Sequence, residues 1–548
     1  MKSFYVFVFT IPFLLALLWL PISTDEAYYF AWSQNLSWVY LDHPPLVAVL
    51  CRLATYLQNI LGNFRILNIL VFIGNSIAIS YLAKICQVSS PTLRGSAAFF
   101  GMTSLGGLVF CSVITPDTLL PALWMLGSAQ VIQYGQTSKT RHLILFFGFG
   151  AVAIYSKYTS LAAFGSLFLV LIFSQKKDRK FFTDLSIGLF FALLLLSPYL
   201  FANIKSHGAT LSFQWNRGLK GRYIAQEMQT EALKFERFPD ASTEEGKLSQ
   251  FFARDDALEK KTDLEKFFES PKTKNYTLDY LGSLLLFWGF FLPFLVRDFL
   301  QLRKKTFKLS IADTYIFAVT GFPLGFFLIL SFVAKIEANW VAPSLMMIPI
   351  IWARSQSIIA PWSWRKLTTI GTIHCSVLSV MIFLIAMSEA KNEIGRSLSS
   401  HLPARLKKEY LGFEDLGAFL VHQIDRPILT ENYQLTSMMD WYAPMLQAHQ
   451  LPGLSRPSEL TRDGNGLKSP IFFDQENLKH GFYVLSQNRH PPRFFEHPVL
   501  SHSELSFCLD EQSIFQQTIT IESAKIESRL DHSCQVNAIY RWYLTRYF

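Results

Sequence analysis

Between residues 1 and 388, apolar stretches of membrane-crossing length follow one another with mostly short polar breaks. A spanning helix needs about 20 predominantly apolar residues, with about 17–25 tolerated. By that measure the pattern predicts spans near 4–22, 66–85, 96–113, 118–135, 142–156, 159–174, 181–200, 278–296, 311–333, 340–357 and 367–388, eleven in all. The fifth and sixth are short and meet at Tyr155-Ser156-Lys157-Tyr158. Beyond 388 the texture changes to that of a soluble chain. Short apolar runs at 427–430, 481–485 and 536–540 read as strands, and 414–423 with 433–447 as helices. The expected architecture is a polytopic α-helical membrane domain over 1–388, with loops 23–62 and 201–277, followed by a small soluble α/β domain over 389–548.

Composition agrees with this pattern and narrows the class. Of 548 residues, 51% are hydrophobic and only 17% charged, against about 25% charged in soluble proteins, which excludes a soluble globular enzyme. Disorder needs low hydrophobicity, and the 28 Gly and 24 Pro show no period, so disordered and collagen-like chains are excluded too. The net charge of +9 is largely a topology signal. If the eleven spans alternate, Lys84 and Arg94, Lys139 and Arg141, the basic residues at 176–180 and 297–308, and Arg365 with Lys366 all fall on one side, which is then cytoplasmic. The opposite side receives the loop after the first span, the Thr115-Pro116-Asp117 turn, Lys157, the 201–277 loop, the 335–340 turn and the C-terminal domain. A nucleic-acid partner would need a basic face on one folded domain instead. The first apolar stretch is read as a retained span, because its core exceeds a signal peptide's and Leu20-Pro21-Ile22-Ser23-Thr24-Asp25 lacks a small-residue cleavage site.

Ionisable groups at a membrane boundary cost free energy, so those without a topological role are candidates for chemistry. The densest set follows the first span: Ser23-Thr24-Asp25-Glu26-Ala27-Tyr28-Tyr29, Trp32-Ser33-Gln34, then Tyr40-Leu41-Asp42-His43-Pro44-Pro45. Ser23 or Thr24 can cap a helix whose first turn Asp25 and Glu26 stabilise electrostatically. The aromatic run beyond them suits a helix at headgroup depth, where a carboxylate can meet a lipid-borne phosphate. Lys157, Arg217 and Arg65 are outer-boundary cations that the positive-inside pattern leaves unexplained; each is either a snorkelling side chain or a phosphate ligand. Asp117 is either the N-cap of the following helix or part of a site.

These segments resemble the first extracytoplasmic loop and outer turns of bacterial members of the dolichyl-phosphate-mannose protein mannosyltransferase superfamily, glycosyltransferase family 39/83-like enzymes related to the lipid A aminoarabinose transferase. The resemblance runs in order through Asp25-Glu26-Ala27-Tyr28-Tyr29, Asp42-His43-Pro44-Pro45, Thr115-Pro116-Asp117, Ser156-Lys157-Tyr158, Phe213-Gln214-Trp215-Asn216-Arg217-Gly218 and Glu337-Ala338-Asn339-Trp340. It implies a GT-C fold in a multi-pass protein of the bacterial inner membrane, with the active site and C-terminal domain on the periplasmic side. It implies a polyprenyl-phosphate sugar donor and an acceptor that is lipid A, another envelope glycan or a protein. Asp25 occupies the base's position, with Glu26 beside it orienting the acceptor or holding a metal. Lys157, Arg217 and Arg65 become donor-phosphate ligands. Asp117, His43, Asp42, Tyr29, Glu337 and Trp340 become substrate-binding. Single displacement implies inversion at the anomeric carbon.

No His-x-x-x-His or Cys-x-x-Cys spacing and no phosphate-binding glycine loop is present. No cofactor is required by the sequence, and a divalent ion, with Glu26 and His43 as candidate ligands, stays open. Cys508 and Cys534 lie in the C-terminal domain and are candidates for one disulfide in an oxidising compartment. Within the long loop, 223–268 reads as helical, either a solvated connector or a lid. A transporter or flippase of lipid-linked sugars is the alternative from another class, and would show internal repeats and midplane polar groups. A polymerase or ligase of lipid-linked sugars shares the outer-face site.

Overall fold

The computed structural model describes residues 2–88, 90–206, 208, 210–211, 214, 276–302, 310–332, 336–356, 364–389, 402–424, 428–450, 458–461, 482–487, 499–508, 513–522, 525–530 and 538–547. Arg217, Cys534 and the expected helical stretch at 223–268 lie outside them, as does the pairing of Cys508 with Cys534. The chain falls into two compact units. One comprises Met1–Trp19, Leu36–Gly221 and Thr273–Ile382, and the other Leu20–Asn35, Arg222–Lys272 and Phe383–Phe548.

The first unit is helical: α1 (Lys2–Leu17), α3 (Leu46–Leu61), α4 (Ile66–Ile85), α5 (Pro91–Thr103), α6 (Leu105–Ser112), α7 (Leu120–Thr137), α8 (Thr140–Ser156), α9 (Ser160–Ser174), α10 (Arg179–Lys205), α11 (Thr277–Trp288), α12 (Leu292–Leu302), α13 (Ile311–Leu330), α14 (Ala342–Leu345), α15 (Ile348–Ser355) and most of α16 (Trp364–Glu389). Every predicted span is therefore helical over most of its length. Among the described residues five helices are long and apolar enough to cross a membrane, and six if the bent pair α5 and α6 is one span. The protein is a multi-pass membrane protein. The helices start and stop on local signals. Asp178 caps α10 by accepting from the Phe181 N–H at 2.8 Å. Ser310 and Asp313 form a capping box at α13.

Three of the predicted spans are broken, 96–113, 340–357 and 278–296, the last at a 3-10 turn over Gly289–Phe291 between α11 and α12. The stretch at 96–113 bends by 67° between α5 and α6. Ser104 ends the first helix and caps the second, accepting from the Gly107 N–H at 3.1 Å. Gly106 lets Phe287 approach so closely that an added Cβ would lie 2.0 Å from its ring. The stretch at 340–357 is divided into α14 and α15, each with a proline in its first turn, Pro343 and Pro349, where the missing N–H is tolerated. His374 of α16 joins two helix breaks. Its Nδ1 lies 2.8 Å from the Thr103 carbonyl at the end of α5, and its Nε2 accepts from the Phe290 N–H at 3.0 Å, between α11 and α12. The two partners fix the neutral tautomer with the proton on Nδ1. Before α14, Ile336 and Val341 form a buried cluster with Tyr280 and Phe327, with Trp340 packed against it.

The second unit joins α2 (Thr24–Gln34) to α17 (Ala404–Tyr410), α18 (Phe413–Gln423), α19 (Tyr433–Tyr442) and a seven-stranded sheet. The strands are β1 (Ile428–Thr430), β2 (His449–Gln450), β3 (Phe482–Gln487), β4 (Val499–Cys508), β5 (Ser513–Glu522), β6 (Lys525–Leu530) and β7 (Ala538–Tyr547), in the order β2-β1-β3-β7-β4-β5-β6. β1 is parallel to β2 and β3, and the remaining pairs are antiparallel. The helix α2 packs on α19 through Phe30 against Trp441 and Tyr28 against Tyr433, with ring centroids 5.0 and 4.5 Å apart.

Candidate active site

In the first unit the turn between α6 and α7 is fixed by its own hydroxyls. The Thr115 N–H donates to Thr118 Oγ1 at 2.8 Å, and the Asp117 N–H donates to Thr115 Oγ1 at 3.2 Å. Across from it α8 ends at Ser156, whose hydroxyl donates to the Pro116 carbonyl at 2.5 Å. Lys157, the C-cap of α8, is thereby brought onto Asp117. Its ammonium donates to both carboxylate oxygens at 2.8 Å, and both side chains are buried. Asn339 donates from Nδ2 to Asp117 Oδ2 at 2.7 Å, and Trp340 places its ring 5.9 Å from the Lys157 nitrogen. Two charges taken out of water need this density of partners, since the desolvation penalty otherwise exceeds their attraction. Asp117, Lys157 and Trp340 of the expected site are thus together, and Asn339 joins them.

Glu337 is half-buried in the same turn, its carbonyl accepting from the Trp340 N–H at 3.0 Å. Arg65 is fully buried at the start of α4 and donates from Nη1 to the Ser112 carbonyl at 3.0 Å, beside Asn68, which donates to the Cys111 carbonyl at 3.0 Å. The two side chains satisfy carbonyls that the end of α6 leaves without intrahelical partners. Asp42 is buried and His43 half-buried just before α3. The first loop is tied at this point by the Thr210 hydroxyl on the Tyr40 carbonyl, 2.7 Å, and by Gln214 on the Asp42 carbonyl.

In the second unit, α2 begins with a capping box. The Glu26 N–H donates to Ser23 Oγ at 3.3 Å, and Glu26 Oε2 accepts from the Ser23 N–H at 3.1 Å. Glu26 is fully buried, whereas Asp25, one position earlier, is exposed. Asp25 Oδ1 accepts from the Tyr433 hydroxyl at 3.3 Å and from Gln434 Nε2 at 3.1 Å. Next to it the Thr24 hydroxyl donates to Glu409 Oε1 at 2.7 Å. Tyr29 is buried edge-on against Trp32, centroids 5.2 Å apart. Tyr433, Gln434 and Glu409 were missed by sequence reasoning: they lie hundreds of residues from α2 and carry no motif. Asn339 had a signal, its place beside Trp340 in the Glu337–Trp340 stretch. Among the described residues no group of three or more His, Cys, Asp or Glu side chains is arranged to hold a metal ion.

Residues 42–201 match the family model "Dolichyl-phosphate-mannose-protein mannosyltransferase". Two solved structures of ArnT from Cupriavidus metallidurans superimpose on 88% of this chain and 92% of theirs. The apo form gives a TM-score of 0.53 at 10% identity, and the form bound to undecaprenyl phosphate 0.54 at 11%. The chain has a GT-C fold. A curated relative, lipid A galacturonosyltransferase RgtD of Rhizobium johnstonii (strain DSM 114642 / LMG 32736 / 3841), is 28% identical over 194 residues, which is 34% of this chain and 39% of that protein's length. Within the GT-C fold, the family-matched stretch carries Asp42, His43, Arg65, Asp117 and Lys157, and Asp25 precedes it.

Proposed function

We propose that the protein is an inner-membrane glycosyltransferase that moves a sugar from a polyprenyl-phosphate donor to an acceptor on the periplasmic side: lipid A, another envelope glycan or a protein. The observation that carries this reading is the GT-C fold over 88% of the chain, held in common with an ArnT solved with undecaprenyl phosphate. The match to a lipid A galacturonosyltransferase supports lipid A as the first acceptor to try.

In the proposed reaction the acceptor hydroxyl attacks the anomeric carbon. The bond to phosphate breaks, and its electron pair leaves on the polyprenyl phosphate. Asp25, the exposed carboxylate of α2, takes the acceptor proton. Attack opposite the phosphate gives inversion. Glu26 fixes the first turn of α2 through its capping box and so sets where Asp25 stands. Lys157, Arg217 and Arg65 are the proposed cations for the departing phosphate, with Lys157 oriented by Asp117. Asp117, Asp42, His43, Tyr29, Glu337 and Trp340 are proposed to shape the substrate site. The C-terminal elements, placed outside the membrane, support the acid-bearing helix.

The purified protein, incubated with labelled polyprenyl-phosphate sugars and lipid A, should transfer label. Asp25→Asn should abolish transfer while leaving the thermal unfolding midpoint in place. Full activity in that variant would remove Asp25 as the base. Mass analysis of lipid A and envelope glycans from cells with and without the protein identifies the acceptor.

A further inference from the structure

We infer that Tyr433 and Gln434, at the start of α19, are positioning residues for the Asp25 carboxylate. This rests on the proposed role of Asp25 as the base. Both side chains donate to the same oxygen, Oδ1, at 3.3 and 3.1 Å. Among the described residues Oδ2 takes no hydrogen bond. A carboxylate acting as a base needs one oxygen held and the other open to the incoming proton, and this arrangement supplies both. As transfer proceeds, the acceptor O–H bond breaks and an Oδ2–H bond forms, while the acceptor oxygen bonds to the anomeric carbon and the sugar–phosphate bond yields its electron pair to the leaving phosphate.

The two donors are themselves fixed. Asn432 caps α19 by accepting from the Leu435 N–H at 2.9 Å. The Tyr433 ring lies against Tyr28, centroids 4.5 Å apart, and Gln434 Nε2 also reaches Thr24 Oγ1 at 3.5 Å. Packing of α2 on α19 does not require the Asp25 contacts, because the ring pairs Tyr28–Tyr433 and Phe30–Trp441 supply it. Polar contacts to an exposed carboxylate contribute little to stability. What they add is orientation, to which rate is far more sensitive than fold.

The test uses the full-length protein in detergent, labelled undecaprenyl-phosphate sugars and lipid A, with Tyr433→Phe/Gln434→Leu compared with Asp25→Asn. Phenylalanine keeps the ring on Tyr28 and removes only the hydroxyl. The expected result is a kcat lower by ~10-fold or more, with KM for the donor within about 2-fold and the unfolding midpoint unchanged. Tyr433→Phe alone, the gentler change, should lower kcat by about 3-fold. Wild-type kcat in the double variant while Asp25→Asn is inactive overturns the positioning role and leaves the base assignment intact. A loss of kcat that only accompanies a lowered unfolding midpoint also overturns it. Activity in Asp25→Asn, or no transfer by the wild-type protein, counts against the proposed function itself.

Discussion

Lys157 places its ammonium 2.8 Å from both carboxylate oxygens of Asp117, with 7% and 2% of the two side chains exposed. The sequence suggests a cation for the donor phosphate and an acid for the sugar, two independent roles. The geometry couples them, so any phosphate that draws on Lys157 also unbalances Asp117. Breaking such a buried pair from one side is costlier than removing both charges. Lys157→Met and Asp117→Leu should each destabilise the protein by about 3–5 kcal/mol, and the double variant should recover most of that loss. Denaturant unfolding in detergent measures the stability change. Transfer should stay abolished in the double variant, which separates the fold from the chemistry.

The capping box of α2 predicts different consequences for chemically similar changes. Ser23→Ala removes the acceptor for the Glu26 N–H and should cost about 1 kcal/mol. Glu26→Gln can still accept from the Ser23 N–H and should leave the unfolding midpoint and most of the transfer activity in place. Glu26→Ala should lower both. Lost transfer at intact stability in Glu26→Gln would assign the carboxylate itself to the chemistry.

His374 answers for two helix breaks at once. Its replacement by leucine strands the part-buried Phe290 N–H and the buried Thr103 carbonyl, a buried unsatisfied group costing about 1–3 kcal/mol. Gly289→Ala attacks the same place from the other side. Its φ of +52 disfavours a side chain, and an added Cβ would lie 2.6 Å from His374 Nε2. A loss of roughly 1–3 kcal/mol is expected, read as a lower thermal midpoint. An unchanged midpoint in both variants would show that the breaks hold without the imidazole.

The proposed topology places Phe548 outside the cytoplasm. Alkaline phosphatase fused after it should be active and a fluorescent protein fused there dark. The reverse result would remove the C-terminal elements, and with them Tyr433 and Gln434, from any periplasmic chemistry.

Much of the fold is legible in the sequence because apolar runs of spanning length have little else to become. The strands β1, β3 and β7 and the helices α18 and α19 also follow from local pattern. The breaks do not, since Ser104 and Pro349 sit inside runs whose hydropathy is uninterrupted, and a single hydroxyl or missing N–H decides the bend. The strands β4, β5 and β6 were missed because their mixture of Ser, Glu, Gln and Lys carries a weak alternation that pairing overrides. Asp25, Glu26, Asp117 and Lys157 stood out as charges with no topological duty. Their partners did not, because Tyr433 and Gln434 are ordinary side chains until folding brings them to α2, and nothing in the sequence shows that Arg65 also meets the Ser112 carbonyl at the end of α6.

The pairing of α2 with α19 also sets a schedule. Asp25 leaves the ribosome 409 residues before Gln434. At about 5–20 residues per second, roughly 20–80 s of synthesis separate the two. α2 must pass that interval without its final neighbours. On the proposed role of Asp25, a nascent chain stalled or cut before α19 would insert its spans and remain inert, so that transfer waits until the last part of the polypeptide has been made.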